Sequence, residues 1–206
     1  MTFKERKRKT KNPCHGCGLH LDRCICALIT PLDLKTKLIL VIHRKELKRT
    51  TNTGQLALKS LVNSEMRIRG EQNTKPLDLS DLLVADYQSY LFFPSDDAVE
   101  LTAELAQSSP LPIQLIVPDG NWRQASKVFS RHPELQALKK VKISAVNASN
   151  VHLRAEHTPE GMATLQAIAL ALGIIEGLHV QKILLNLYDA KLKQTLIGRG
   201  KQKFLE

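Results

Sequence analysis

Apolar and polar positions divide this chain into short continuous runs and longer periodic stretches. Residues 34–43 alternate and then run apolar through Leu38-Ile39-Leu40-Val41-Ile42, which predicts a buried strand ending at His43. A polar, charged loop follows, and a helix starts near Gln55 with Leu56, Leu58, Leu61 and Val62 as its apolar positions. Residues 70–80 carry Gly70 and Pro76 and read as a surface connection. Tyr90-Leu91-Phe92-Phe93-Pro94 is the next strand, and Ser95-Asp96-Asp97 opens a helix to about Gln107. A strand over residues 113–118 leads into a helix that runs to Arg131 and stops at His132-Pro133. Val141-Lys142-Ile143 and Val151-His152-Leu153-Arg154 are further strands. Thr158 caps a helix with Pro159 at its first position, burying Leu165, Ile168, Leu172 and Ile175. A last amphipathic helix covers residues 179–196, with Ile183, Leu184, Leu187 and Leu192 inward, ahead of basic Arg199, Lys201 and Lys203.

Strands alternating with helices predict an α/β domain built on a mainly parallel sheet. No strand is followed by Gly-x-Gly-x-x-Gly, and Gly-x-x-x-x-Gly-Lys-Ser/Thr is absent. The first absence counts against an ordinary Rossmann dinucleotide site, and the second excludes a P-loop NTPase. At 206 residues and 43% hydrophobic, the chain is long enough for one full core and a small appendage. The formal net charge of +10 favours an anionic partner, nucleic acid above all. Much of that excess sits in a basic arm, residues 1–12, where Lys4, Arg6, Lys7, Arg8, Lys9 and Lys11 face only Glu5. No segment approaches the roughly 20 apolar residues of a membrane span. No apolar secretory segment follows the N-terminal charges either. A cytoplasmic protein, away from membranes, is expected.

In that compartment thiols stay reduced, and clustered cysteines suggest metal before disulfide. Cys14, Cys17, Cys24 and Cys26 all fall within residues 13–30, spaced C-x2-C-x6-C-x-C. Four thiolates so close together suit tetrahedral zinc, with Gly16 and Gly18 permitting a tight knuckle turn. His15 or His20 can stand in for one thiolate, and the alternative is a redox-sensitive cluster without metal. A closed four-ligand site is structural, so no catalysis is assigned to it.

The stretch from Leu115 to Ala125 concentrates the candidate chemistry. It begins as a buried strand, breaks at Pro118 and Gly120, and resumes as a helix. The turn holds an acid, Asp119, and the only tryptophan of the chain, Trp122. Open α/β sheets place ligands at such strand ends. The competing reading is that Asp119 and Asn121 cap the helix while Trp122 packs. The polar loop after His43 is a second candidate ligand site, or an ordinary connection with Asn52 or Thr53 as helix cap.

Asp119-Gly120-Asn121-Trp122-Arg123-Gln124-Ala125 resembles the D-G-T-W-x-x-A motif of the DTW-domain family, which are tRNA-uridine aminocarboxypropyltransferases. Further blocks are similar in the same order. The four-cysteine segment comes first. His43 to Gly54 resembles the family's H-P-x-E-x-x-R-x-x-N-T-G block, and Leu91-Phe92-Phe93-Pro94-Ser95 its L-F-P segment. His152-Leu153-Arg154 resembles the L-R block, and Ala163-Thr164-Leu165-Gln166-Ala167 the S-T-x-E-A helix start. Three positions depart from the pattern: Asn121 stands for Thr, Arg44 for Pro, and Gln166 for Glu. The last removes a carboxylate from that helix start.

The resemblance implies a SPOUT-like catalytic domain over residues 31–206, with helices on both faces of the sheet and a C-terminal knot. It implies S-adenosylmethionine as cosubstrate and transfer of its 3-amino-3-carboxypropyl group to N3 of a uridine in tRNA, releasing methylthioadenosine. Asp119 would then be the general base or the electrostatic partner of the sulfonium, and Trp122 a platform for the base or part of the pocket wall. Phe93, Pro94, Val117, Pro118, Leu153 and Thr164 would line the cosubstrate site. Arg154, and Arg49 after it, would grip the methionine carboxylate or a tRNA phosphate. Asn52, Thr53 and Asn121 would position the reactants. A SPOUT-type RNA methyltransferase and a non-catalytic zinc-dependent RNA-binding protein are the competing readings. Nothing in the pattern forces a dimer, and a monomer is expected.

Overall fold

The computed structural model of the protein describes residues 10–71, 77–144, 153 and 161–200. The chain forms β1 (Lys37–His43), α1 (Gly54–Ser60), β2 (Ser64–Arg69), β3 (Gln88–Phe92), β4 (Val99–Glu100) and α2 (Ala103–Ala106). It continues through β5 (Ile113–Asp119), α3 (Trp122–Ala125), α4 (Lys127–Arg131), β6 (Lys140–Lys142), α5 (Thr164–Ile175) and α6 (Leu178–Gly198). The strands make one sheet of order β2-β1-β5-β3-β6-β4. Every neighbouring pair is parallel. The architecture is the α/β class that the alternation of strands and helices predicts.

Strands covered on both faces carry continuous apolar runs. β5 is buried along its whole length, and β1 along its five central residues. Leu38, Leu40, Ile42, Leu115 and Val117 turn to one face, against Leu56 of α1, Leu165, Ile168 and Leu172 of α5, and Leu184 of α6. Ile39, Val41, Leu91, Phe93 and Ile116 turn to the other, against Ala125, Val128 and Leu135. Helices thus cover both faces, the longer ones over the larger core. Cys17, Leu19 and Ile25 join that larger core, so the cysteine segment packs onto the domain. Lys191 of α6, buried among these residues, donates from Nζ to the Cys17 carbonyl.

The structure departs from the periodicity in three places. The helix expected from Ser95 to Gln107 is a turn, then β4, then only α2. The edge of β6 competes for that segment: Val99 pairs with Val141, and Leu101 N–H donates to the Lys142 carbonyl at 2.9 Å. α1 ends at Ser60, and Val62, expected on its apolar side, is 63% exposed. The chain turns there into β2, a strand the apolar pattern does not reveal. β2 is a sheet edge whose residues are mostly half-buried, so neither a continuous apolar run nor clean alternation marks it. Residues 151, 152 and 154–160, hence Arg154 and the cap at Thr158, lie outside the described residues, as does the path on which a C-terminal knot depends. α5 is described from Thr164, later than the predicted start at Pro159.

One long-range tie closes the fold behind the sheet. Thr36, just before β1, donates its N–H and its Oγ1–H to Glu176 Oε1 at 2.7 and 2.5 Å. Glu176 follows the last turn of α5. Glu176→Ala leaves a buried Thr36 with two donors and without their shared acceptor, and should lower stability by about 2 kcal/mol. Glu176→Gln, which keeps one carbonyl oxygen, should recover part of that loss. Urea unfolding of the two variants checks it, with equal stability of Glu176→Ala and the parent as the contrary result.

Candidate active site

The C-terminal ends of β1, β2, β3 and β5 converge on one edge of the sheet. Asp119 ends β5, opposite Ile42 of β1, and is 4% exposed. Its Oδ2 accepts from Asn52 Nδ2 at 2.5 Å, and its Oδ1 accepts from Thr164 Oγ1 at 2.6 Å. Asn52 belongs to the loop after β1, and Thr164 is the first residue of α5. One carboxylate therefore joins three segments that are distant in sequence. A Cβ at Gly54 would stand 3.1 Å from the Asp119 carboxyl carbon, so the start of α1 comes this close because it has none. Two helix starts, of α1 and α5, lie beside the acid, where their free N–H groups favour negative charge.

Asn52 and Thr53 do structural work at the same time. Asn52 Oδ1 accepts from Gln55 N–H at 3.0 Å, satisfying one free donor of α1. Thr53 Oγ1 accepts from Leu165 N–H at 3.2 Å, satisfying one of α5. Gln166, at the family's Glu position, accepts from Ala163 N–H through Oε1 at 3.1 Å. That is a capping role for which an amide oxygen serves as well as a carboxylate.

The turn after Asp119 is held differently. Asn121 Oδ1 accepts from Gln124 N–H, and Gln124 Oε1 accepts from Asn121 N–H, both at 2.9 Å, a reciprocal capping box at the start of α3. Asn121 is thus a helix cap. Trp122 is 56% exposed, with its ring 5.0 Å from that of buried Phe93. Phe93 in turn lies 5.6 Å from Phe129. An aromatic supported on one side and open on the other is a stacking surface. Of the remaining predicted lining residues, Val117, Pro118 and Leu153 are buried, while Pro94 is exposed beside Phe93.

Behind the turn, the ring of His43 lies against Gln124, with Nδ1 3.4 Å from Gln124 Nε2 and accepting from Lys45 N–H at 3.2 Å. Burial, and then the cations Arg69 and Lys45, hold its pKa below the usual histidine value. Buried Arg69 of β2 donates to the Gln124 carbonyl at 2.6 Å. Arg49 is tied to Glu46, which is fully buried, at 3.1 Å. Periodicity and motif gave His43 no role of its own and overlooked Arg69. Asn121-x-x-Gln124, a capping-box spacing, was the available signal for Gln124.

The four cysteine sulfurs lie within 4.8 Å of one another. Cys14–Cys24, Cys14–Cys26 and Cys17–Cys24 are separated by 3.4, 3.6 and 3.9 Å. Tetrahedral zinc with Zn–S of about 2.3 Å needs sulfurs about 3.8 Å apart, so the donor set fits such an ion. Gly18 adopts a left-handed φ of 71°, and a Cβ at Gly16 would run into Cys26 Sγ. Backbone N–H groups of Cys17 and Gly16 pull the Cys14 thiol down to about 6, while burial and then the Cys14 sulfur push Cys26 up to about 12. Four thiolates together therefore require a cation. Neither histidine is in this set among the described residues.

Comparison with known proteins adds independent findings. A family model described as the DTW domain matches residues 11–196. The chain is 30% identical to tRNA-uridine aminocarboxypropyltransferase 2 of Drosophila melanogaster over 195 residues, covering 91% of this chain and 71% of that protein. It is 25% identical to the proteins of the same name from Mus musculus and Macaca fascicularis. Those alignments cover 79% and 86% of this chain but only 56% and 61% of the relatives. No solved structure matches. With the match running from the cysteine segment into α6, this chain belongs to the DTW domain family.

Proposed function

We propose that this protein transfers the 3-amino-3-carboxypropyl group of S-adenosylmethionine to N3 of a uridine in tRNA. Support comes from the relatives' activity and from one observation above all: a buried carboxylate, Asp119, shares the sheet edge with an open aromatic face, Trp122. In the reaction a bond forms between uridine N3 and the γ-carbon while the bond from that carbon to sulfur breaks. The sulfonium keeps the electron pair and leaves as neutral methylthioadenosine, and the N3 proton passes to a base. When bound, the cosubstrate supplies the electrophilic carbon.

The protein's part is positioning and charge. Trp122 stacks the extruded uridine. Asp119 stabilises positive charge at the sulfonium or takes the N3 proton. The second role requires the carboxylate to exchange its hydrogen bond from Asn52 or Thr164 for one from the base, because both oxygens already accept bonds. Phe93, Pro94, Val117, Pro118, Leu153 and Arg154 remain our assignment for the cosubstrate side, with Arg49 and Thr53 beside them. Thr164 and Asn52 act through Asp119 as positioning residues, and Asn121 by shaping the turn. The four cysteines hold zinc, which fixes the N-terminal segment on α6 as a surface for tRNA. We assign the protein to the cytoplasm as a monomer. Among the described residues no helix is long and apolar enough to cross a membrane.

Three outcomes test this reading. Unmodified tRNA incubated with the protein and S-adenosylmethionine should yield, by nucleoside mass spectrometry, a uridine carrying the aminocarboxypropyl group together with free methylthioadenosine. A methylated nucleoside would overturn the reaction and keep the cosubstrate. Asp119→Asn should lower the single-turnover rate by about 100-fold or more while thermal melting stays cooperative. An unchanged rate removes the carboxylate from the chemistry. The purified protein should carry one zinc per chain by elemental analysis. Cys17→Ser should lose the metal and lower the melting temperature, with tRNA affinity falling more than cosubstrate affinity; retention of stability without metal is the contrary result.

A further inference from the structure

His43 and Arg69 are register partners at the ends of β1 and β2. They lie on the sheet face of α3 and α4, since His43 follows the alternation of Ile39 and Val41, while Asp119 is on the other face with Val117. Arg69 is 6% exposed, yet among the described residues it makes no ion pair with a carboxylate. Its one hydrogen bond there, to the Gln124 carbonyl, occupies Nη1 and leaves the rest of the guanidinium fork uncommitted. Its charged neighbour is another cation, Arg131 at the end of α4. Burying a guanidinium beside like charge is expensive unless an anion compensates it.

His43 adds a neutral donor to this group. Its Nδ1 accepts from Lys45 N–H and faces the Gln124 amide, so the ring proton belongs on Nε2. The nearby acid, Glu46, is engaged by Arg49 on the other side of the turn. The Nε2 edge abuts Gly70, whose φ is 78° and where a Cβ would stand 2.8 Å from that nitrogen. A planar guanidinium, a second arginine and an imidazole N–H are donors suited to phosphate oxygens. Gln124, which touches both His43 and Arg69, lies in the same short helix as Trp122.

We propose that Arg69, Arg131 and His43 form a phosphate-binding site for the RNA strand, filled by a backbone phosphodiester close to the uridine stacked on Trp122. This assignment rests on the RNA-directed reading of the site. It gives the strand an anchor across the capping-box turn from the carboxylate, so that one side holds the backbone and the other does the chemistry.

The test measures binding of an unmodified tRNA transcript to the full chain as a function of salt. Arg131→Gln, an exposed change, should weaken binding about fivefold and reduce the slope of log K against log salt by roughly 0.9, the signature of one lost phosphate contact. Lys182→Gln, an equal loss of charge on the exposed face of α6, should leave affinity within about twofold and the slope unchanged. Arg69→Gln, if it melts cooperatively, should match Arg131→Gln. The double variant should lose no more slope than one phosphate accounts for. Inorganic phosphate that competes at millimolar concentration with the parent but not with Arg131→Gln supports an anion site as such. Equal effects of Arg131→Gln and Lys182→Gln, or none from Arg131→Gln, would overturn the proposal. Nucleoside mass spectrometry of the parent protein separates the two readings. A slope change without aminocarboxypropyluridine sinks the activity alone, and product formation with an unchanged slope sinks the phosphate site alone.

Discussion

The Asp119 carboxylate sets the geometry of the whole C-terminal edge of the sheet. It ends the central strand, and its two oxygens take one donor from the loop after β1 and one from the first residue of α5. A buried carboxylate is tolerated only where such donors compensate for lost water, and removing either leaves an oxygen to be satisfied elsewhere. Those donors are themselves fixed. Asn52 is held by its cap on α1, and the start of α5 by the bond from Leu165 to Thr53. The start of α1, the start of α5 and the end of β5 are consequently one interlocked unit. Gly54 marks how tight it is, because a methyl group there would press on the carboxylate.

Such interlocking explains why functional and structural readings of the same residues converge. Asn121 caps α3, Asn52 caps α1 and Gln166 caps the start of α5. Each holds the C-terminal edge of the sheet by satisfying an ordinary helix terminus. The exchange of Glu for Gln at residue 166 is therefore conservative for the local fold, because the observed role uses a single acceptor oxygen. Trp122 is the exception to this economy. Its flank rests on Phe93, but more than half of its surface stays open to solvent, which packing alone would not favour.

Much of this was legible in the sequence, for physical reasons that differ by element. β1 and β5 are covered on both faces, so their apolar runs are unbroken. α5 and α6 each present a stripe at helical spacing to the larger core. The cysteine spacing announced a tetrahedral donor set, and the sulfur separations agree with it. β2 was not legible, because an edge strand buries too little to leave a pattern, and Arg69 was missed with it. The expected helix after Pro94 failed for a related reason: Val99 gains ladder hydrogen bonds at the edge of β6 that no local propensity encodes. Lys191 was invisible too. A lysine inside an amphipathic helix reads as solvent-facing until the cysteine segment folds over it and supplies a carbonyl.

The two faces of the sheet divide the electrostatic labour at its C-terminal edge. On the α1 and α5 side a carboxylate sits among helix N-termini and hydroxyl and amide donors. On the α3 and α4 side a buried arginine sits near further positive charge. Asp119 ends β5 and Arg69 ends β2, on opposite faces of the sheet with β1 between their strands. Collapse into an Asp119–Arg69 ion pair would quench both. On the reading proposed above, their separation keeps the carboxylate for the sulfonium or the uridine and the arginine for the polyanion. The turn after Asp119 also carries the open aromatic face of Trp122, and the Gln124 carbonyl at the end of the same capping box takes the hydrogen bond from Arg69, so one short helix ties the two faces together at this edge.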